Sequence, residues 1–278
     1  MRRHLLTIAL ILIFVVGLSV LLYPMVSDYF NSLSQSKVVA QYFKDLADLN
    51  EEDFAAILNA AHEYNQTLAT NTTRFEPSDE QTAEYENLLN PTGNDLMGTL
   101  EIDKIHVRLP IYHGTTEGVL QIGVGHIEGT SLPVGGPGTH AALSGHRGLP
   151  SSTLLSDLDQ MTVGDTFVLR VLNQVMTYQV DQILTVEPND TSALAIETGK
   201  DYCTLVTCTP YGINTQRLLV RGRRIDNAAV ETEASVYVPS EAERFGNITV
   251  AFFLFLPVLA ILLTVRFIRH RKRAKRKV

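Results

Sequence analysis

The sequence predicts a mainly β domain, a sandwich or barrel of short antiparallel strands, with a helical N-terminal extension and an apolar span at each end. Three observations carry this. Between residues 96 and 226, short runs of alternating or continuous apolar residues recur, separated by Gly, Pro, Asn and Asp turn signals. Residues 34–62 instead repeat apolar side chains at the three-and-four spacing of a helix face. Two uncharged apolar runs, Leu5 to Tyr23 and Ile248 to Val265, each approach the ~20 residues that cross a bilayer as a helix.

Residues 1–27 read as a short cytoplasmic stub and a membrane anchor. The rival reading is a cleaved signal peptide, but no small-x-small site follows the apolar run, which continues as Tyr23-Pro24-Met25-Val26. Residues 28–95 read as a helical extension and a loop. Val38, Val39, Tyr42, Phe43, Leu46 and Leu49 line one helix face. Asn50 caps a second helix, with Glu51, Glu52 and Asp53 in its first turn and Phe54, Ile57, Leu58 and Ala61 as its stripe. Residues 65–95 are polar and turn-rich, the composition of a linker or a covering loop.

The β region, 96–226, contains an alternating stretch from Gly98 to Ile111. Further strand-like runs are Val119–Val124, His140–Leu143, Thr166–Val171, Val175–Val186, Cys203–Thr207 and Arg217–Ile225, with a short helix at Leu154–Leu158. Residues 227–246 are an acidic tether. Residues 247–266 form the second span, and 267–278 a basic tail.

The formal net charge is −7, yet residues 1–27 and 266–278 hold 10 of the 23 Lys and Arg and none of the 30 Asp and Glu. The acidic middle does not suit nucleic acid. Basic flanks place both termini in the cytoplasm and the middle of the chain outside, and the basic tail suits contact with the lipid bilayer.

An outside location makes the two cysteines informative. Cys203 and Cys208 are five residues apart, roughly 16 Å in an extended strand, and a disulfide needs Cα atoms within about 7 Å. The odd spacing puts their side chains on opposite faces. Cys203, in mid-run, suits a core position. Cys208 ends Thr204-Leu205-Val206-Thr207-Cys208, just before a Thr-Pro-Tyr-Gly break. A thiolate there is a nucleophile if a cation or imidazolium stands near it. His146 lies 62 residues earlier, in Ser144-Gly145-His146-Arg147-Gly148, and Arg217 nine residues later. A Cys–His pair makes and breaks acyl bonds, and an arginine stabilises an oxyanion. The plain alternatives are a buried cysteine, a loop histidine and an edge arginine.

Other chemistries fit less well. His106, His113, His126, His140 and His146 fall within 41 residues but lack metal-ligand spacing. Ser144 has no Gly-x-Ser-x-Gly elbow, and Gly135-Gly136-Pro137-Gly138 reads as a turn rather than a phosphate loop.

At these residues the chain resembles the sortases, transpeptidases of Gram-positive surfaces. Thr204-Leu205-Val206-Thr207-Cys208 matches their TLxTC signature, and Ser144-Gly145-His146 and Arg217 stand where the family's His and Arg would. The resemblance covers roughly 96–226 and implies a closed eight-stranded β-barrel. Residues Thr207–Thr215, the run Tyr85–Asn90, the helical extension and the second span resemble class C, the pilus-assembly sortases. That implies cleavage of an LPxTG-type sorting signal between Thr and Gly, a thioester on Cys208, and transfer to a lysine of the next pilin. His146 would be the acid/base and Arg217 the substrate and oxyanion stabiliser. Pilin proteins and the bilayer are the implied partners, with a monomeric catalytic domain and no cofactor or metal. Two alternatives stay open: a housekeeping sortase that joins proteins to cell-wall peptide, and a membrane-anchored binder of sorting signals without activity.

The chain departs from the class pattern in one segment. Class C sortases commonly cover the cysteine with an Asp-Pro-aromatic lid. Here Phe75-Glu76-Pro77-Ser78-Asp79 is the counterpart, with Glu76 or Asp79 supplying the carboxylate and Ser78 where the aromatic would be. Gln216 stands where many relatives carry a histidine before the arginine.

Overall fold

The computed structural model describes residues 2–227 and 265–266. Apart from Asn227, Val265 and Arg266, the expected tether, second span and basic tail lie outside the described residues. Two compact units divide the described chain, one holding residues 2–33 and the other residues 34–227.

Helix α1 runs Arg2–Leu46, α2 Glu51–Leu68 and α3 Asp79–Asn87. In the first unit, the described part of α1 exposes Leu6, Leu10, Ile13, Phe14, Val20 and Leu21, and the helix from Leu6 onward is long and apolar enough to cross a membrane. Helix α1 continues through Pro24. Asn50 caps α2 as the sequence suggests. Its side chain accepts from Glu52 and Asp53 N–H, and the Asp53 carboxylate accepts from Asn50 N–H.

Residues 65–95 are not one loop. Residues 65–68 complete α2, and α3 occupies the centre, started by a capping box between Ser78 and Gln81. Its one buried residue, Tyr85, is the anchor. The Tyr85 hydroxyl lies 3.0 Å from His126 Nδ1 and accepts from Gly114 N–H at 2.9 Å. His126 Nε2 faces the Ser131 carbonyl at 2.8 Å, so it carries the hydrogen and Nδ1 accepts from Tyr85. Farther back, the Tyr42 hydroxyl donates to Met97 O and accepts from Leu172 N–H. These bonds tie the helical extension to the β domain at two points.

Eight strands close into a barrel: β1 Leu96–Ile102, β2 Val107–His113, β3 Val124–His126, β4 Thr139–Ser144, β5 Thr166–Val171, β6 Gln174–Val186, β7 Asp201–Thr209 and β8 Gln216–Ile225, in spatial order β1-β2-β3-β4-β7-β8-β6-β5. Closure leaves no sheet edge. The interior holds fully buried Leu100, Ile102, Ile111, Leu143, Phe167, Leu169, Leu205 and Val220.

The barrel departs from the expected antiparallel pattern at two joints, where β2 pairs with β3 and β4 with β7 in parallel. The stretch Gly98–Ile111 is two strands, turned at a short 3₁₀ segment, Asp103–Ile105, with His106 in the left-handed region. Val119–Ile122 is not a strand. It lies in helix α4, Glu117–Ile122, and strand structure begins at Val124. Thr116 at the N-cap position and Glu117 in the first turn suit that helix start. Leu154–Asp157 forms turns, and the short 3₁₀ segment begins at Leu158.

Candidate active site

The positions of the three predicted residues follow from register. In the parallel β4–β7 pair every partner is offset by 62, from Thr139 opposite Asp201 to Ser144 opposite Val206. The same offset joins His146 to Cys208. Two bonds carry the pairing past the end of β4: Gly145 N–H donates to Val206 O at 3.0 Å, and Thr207 Oγ1 donates to Gly145 O at 2.7 Å. Gly145 is required there. A Cβ on it would lie 2.8 Å from Leu155 Cδ1 and 3.1 Å from Val124 Cγ1.

On the other side of β7, the antiparallel ladder sets Cys208 directly opposite Arg217. The thiol therefore sits on the central strand of three, flanked by the histidine loop and the arginine strand. All three residues line one cavity of about 360 Å³. Its apolar floor includes Leu120, Ile127, Val186, Leu194, Val206 and Leu219. An extended apolar peptide suits such a groove, with its carbonyl presented to the thiol at one end.

Both cysteines are free, but they differ. Cys203 is fully buried, and burial pushes its thiol well above the usual range. It is not a nucleophile at neutral pH. Cys208 is half-buried and reaches the cavity. The Arg217 guanidinium donates to its neighbours' carbonyls, Gln216 O at 3.1 Å and Asn214 O at 3.4 Å, and remains exposed to the groove.

Comparison with known proteins agrees with this geometry. The sortase domain model matches residues 100–225. Sortase D of Bacillus subtilis (strain 168) is 30% identical over 138 residues, covering 49% of this chain and 67% of that protein. Among solved structures, sortase C1 from Streptococcus agalactiae superposes with a TM-score of 0.67 at 49% identity, covering 69% of this chain and 99% of that one.

The chain belongs to the sortase family.

Sortase C from Streptococcus pneumoniae is also similar, with a TM-score of 0.61 at 45% identity over 68% of this chain and 97% of that one. The likeness to class C sortases reaches well beyond the barrel, which the family model alone would not show. This sortase is accordingly a cysteine transpeptidase with a closed eight-stranded barrel.

The expected lid residues divide sharply. Phe75 packs against Ala142, Leu194, Val206 and Leu219, and the last three also line the cavity of Cys208. Next to it, the Arg74 guanidinium donates to Gly129 O at 3.0 Å and Leu194 O at 2.9 Å and stacks on the Phe75 ring, 4.5 Å from its centroid. Burial lowers the Arg74 pKa, so the two carbonyls offset a desolvation cost. Gly129 has φ +87°, and a Cβ there would stand 2.3 Å from Arg74 O.

Glu76 and Asp79, by contrast, are exposed and form no ion pair among the described residues. Glu76 N–H closes a turn onto Thr73 O, and Asp79 opens α3. Pro77 precedes the α3 cap. The carboxylate counterpart of the class motif thus does not reach the site. On the other side of the proline, Phe75 is the aromatic that packs against residues lining the cavity.

Sequence reasoning passed over two residues. Arg147, next to His146, donates from Nε to Ser156 O at 3.1 Å and from a terminal nitrogen to Thr209 Oγ1 at 3.3 Å, and pairs with Asp159. It ties the histidine loop to the turn after Cys208, where Thr209–Pro210 is cis. Glu117, on α4, places Oε2 3.3 Å from His146 Nε2. Arg147 was legible as a charge inside the Ser144–Gly148 motif. Glu117 lay in a segment expected to be a strand.

His113, His126 and His140 are structural. His126 and His140 are buried and bonded to carbonyls and hydroxyls, and the His113 ring nitrogens face Asp95 O at 3.1 Å and Leu88 O at 2.7 Å. Among the described residues no group of His, Cys, Asp and Glu is arranged to hold a metal.

Proposed function

We propose that this sortase builds pili, cleaving an LPxTG-type sorting signal between Thr and Gly and joining the new acyl end to a lysine of the next pilin. The observation that carries the reading is the convergence of Cys208, His146 and Arg217 on one apolar groove, three of whose lining residues Phe75 packs against. Two of the similar structures support the pilus class. The Streptococcus pneumoniae sortase C bears on pilin substrate specificity, and another neighbour, 38% identical, is the sortase C1 of a pilus island.

In this reading the Cys208 thiolate attacks the threonine carbonyl carbon. The oxyanion of the tetrahedral adduct is stabilised by the Arg217 guanidinium. The C–N bond breaks as the His146 imidazolium gives its proton to the departing glycine amine. A thioester remains on Cys208. A neutral lysine amine then attacks that thioester, gives a proton to the imidazole, and expels the thiolate. An isopeptide bond forms and the enzyme returns to its starting state.

The Arg74–Phe75 pair acts as the lid of the resting enzyme. A chain anchored by α1 and by the apolar run near its C-terminus would present this groove outside the membrane with both termini in the cytoplasm.

A housekeeping role is the second reading, favoured by a match to sortase A of Bacillus anthracis, 25% identical over 82% of this chain. The product decides between the two. Mass spectrometry of the junction peptide should find threonine amide-linked to a pilin lysine. A junction to cell-wall cross-bridge peptide would overturn the pilus assignment and keep the transpeptidase.

A further inference from the structure

Glu117 is an acidic side chain at the rim of the groove with no part in the chemistry above. It opens α4, a helix that buries none of its residues. Its two oxygens have different partners. Oε1 accepts from Gln121 Nε2 at 3.0 Å, one helical turn on, and Oε2 lies 3.3 Å from His146 Nε2. Among the described residues it is the acidic group paired with His146. The other charged groups nearby are differently engaged: Arg147 is bound by Asp159, while Asp190 and Arg217 line the same cavity without bonding the ring.

We propose that Glu117 is the positioning residue of His146, holding the Nε2–H and leaving Nδ1 as the nitrogen that exchanges protons with the reacting groups. The inference rests on the reading of His146 as the acid/base. A carboxylate only accepts, so the nitrogen facing it carries a hydrogen whether the ring is neutral or charged. In the neutral ring the lone pair then falls on Nδ1. Gln121 fixes the carboxylate in that role. Its hydrogen bond first, and the neighbouring imidazole second, hold the Glu117 carboxyl below the usual range, so it is ionised wherever the enzyme works.

The Glu117 side chain is 69% exposed. Water and salt screen it, so its effect belongs to the scale of an exposed ion pair rather than of a buried triad carboxylate, whose loss costs ~10⁴ in rate. Glu117→Gln should lower kcat by about two- to fivefold with KM unchanged. The limb of the pH–rate profile that reports the imidazole should move toward acid pH, because the imidazolium loses a countercharge. The gap between the two enzymes should narrow at high salt.

The experiment uses the full chain in detergent and an internally quenched LPxTG-type peptide, with rates followed against pH and salt. Nitrogen spectra of ¹⁵N-histidine-labelled enzyme, with the His146 signals assigned by their loss in His146→Ala, give a readout independent of turnover. The wild type should show the Nε2–H form, and Glu117→Ala a mixture of both. An unchanged pH profile in Glu117→Gln, or an unchanged nitrogen spectrum in Glu117→Ala, overturns the proposal. Turnover retained by Cys208→Ala or His146→Ala would instead overturn the transpeptidase reading on which it rests.

Discussion

Cys208 and Arg217 are direct partners across the β7–β8 ladder, nine residues apart in the chain and opposite one another in space. Directly opposed residues share a face of the sheet, with Cβ atoms about 4.5–5.5 Å apart. The guanidinium is therefore placed by backbone pairing rather than by a side-chain bond to the thiol. Arg217→Gln should leave Cys208 as reactive toward a small thiol reagent as in the wild type. Its kcat should fall by about 10²–10³, the cost of losing one oxyanion donor. Equal losses in labelling and turnover would mean that the arginine acts on the thiol and not on the adduct.

Lid closure should depend on Arg74 and Phe75 and not on Glu76. Burying an aromatic side chain contributes roughly 1.5–3 kcal/mol, and a hydrogen bond to a charged group about the same. An exposed carboxylate contributes at most about 1 kcal/mol. Arg74→Ala and Phe75→Ser should raise both thiol labelling of Cys208 and hydrolysis of a soluble sorting peptide. Glu76→Ala should change neither. Gly129→Ala should open the same lid from the barrel side, since its methyl would collide with Arg74 O.

Acid should destabilise the fold through His126. Burial, only partly opposed by the Ser131 carbonyl, lowers its pKa from 6.5 to about 4. Between those values the unfolded chain binds a proton that the folded one excludes, so stability rises with pH. The penalty is absent above pH 6.5 and grows as pH falls to about 4, where the stability lost amounts to about 3 kcal/mol. Urea melts of His126→Asn should show a flatter pH dependence across that window, whatever the variant's own stability. A slope equal to the wild type's would place the acid sensitivity elsewhere.

Much of this was legible in the chain. Five strand runs from His140 to Ile225 fell in register with the observed strands, because continuous β-branched and aliphatic runs bounded by Gly and Pro leave few alternatives. The meeting of Cys208, His146 and Arg217 at one cavity was legible too, since the 62-residue offset from His146 to Cys208 is itself the β4–β7 register. What failed was non-local. Val119, Leu120 and Ile122 suit a strand or a helix, and only the site they border makes α4 informative. Parallel pairing of β2 with β3 and β4 with β7 leaves no mark in local alternation. Of the residues expected in a lid, Phe75 packs against residues that line the groove, whereas Glu76 and Asp79 are exposed. The Ser78–Gln81 capping box was a readable sign of α3 inside the supposed loop.

The central claim is that Cys208 carries the acyl group. Full-length enzyme incubated with an LPxTG-type peptide and quenched in acid should gain the mass of the peptide acylated through its threonine. Proteolytic mapping should place that mass on Cys208. Cys203→Ala should acquire the same adduct, and Cys208→Ala none. An adduct mapped to Cys203, or cleaved and transferred peptide produced by Cys208→Ala, would contradict the account.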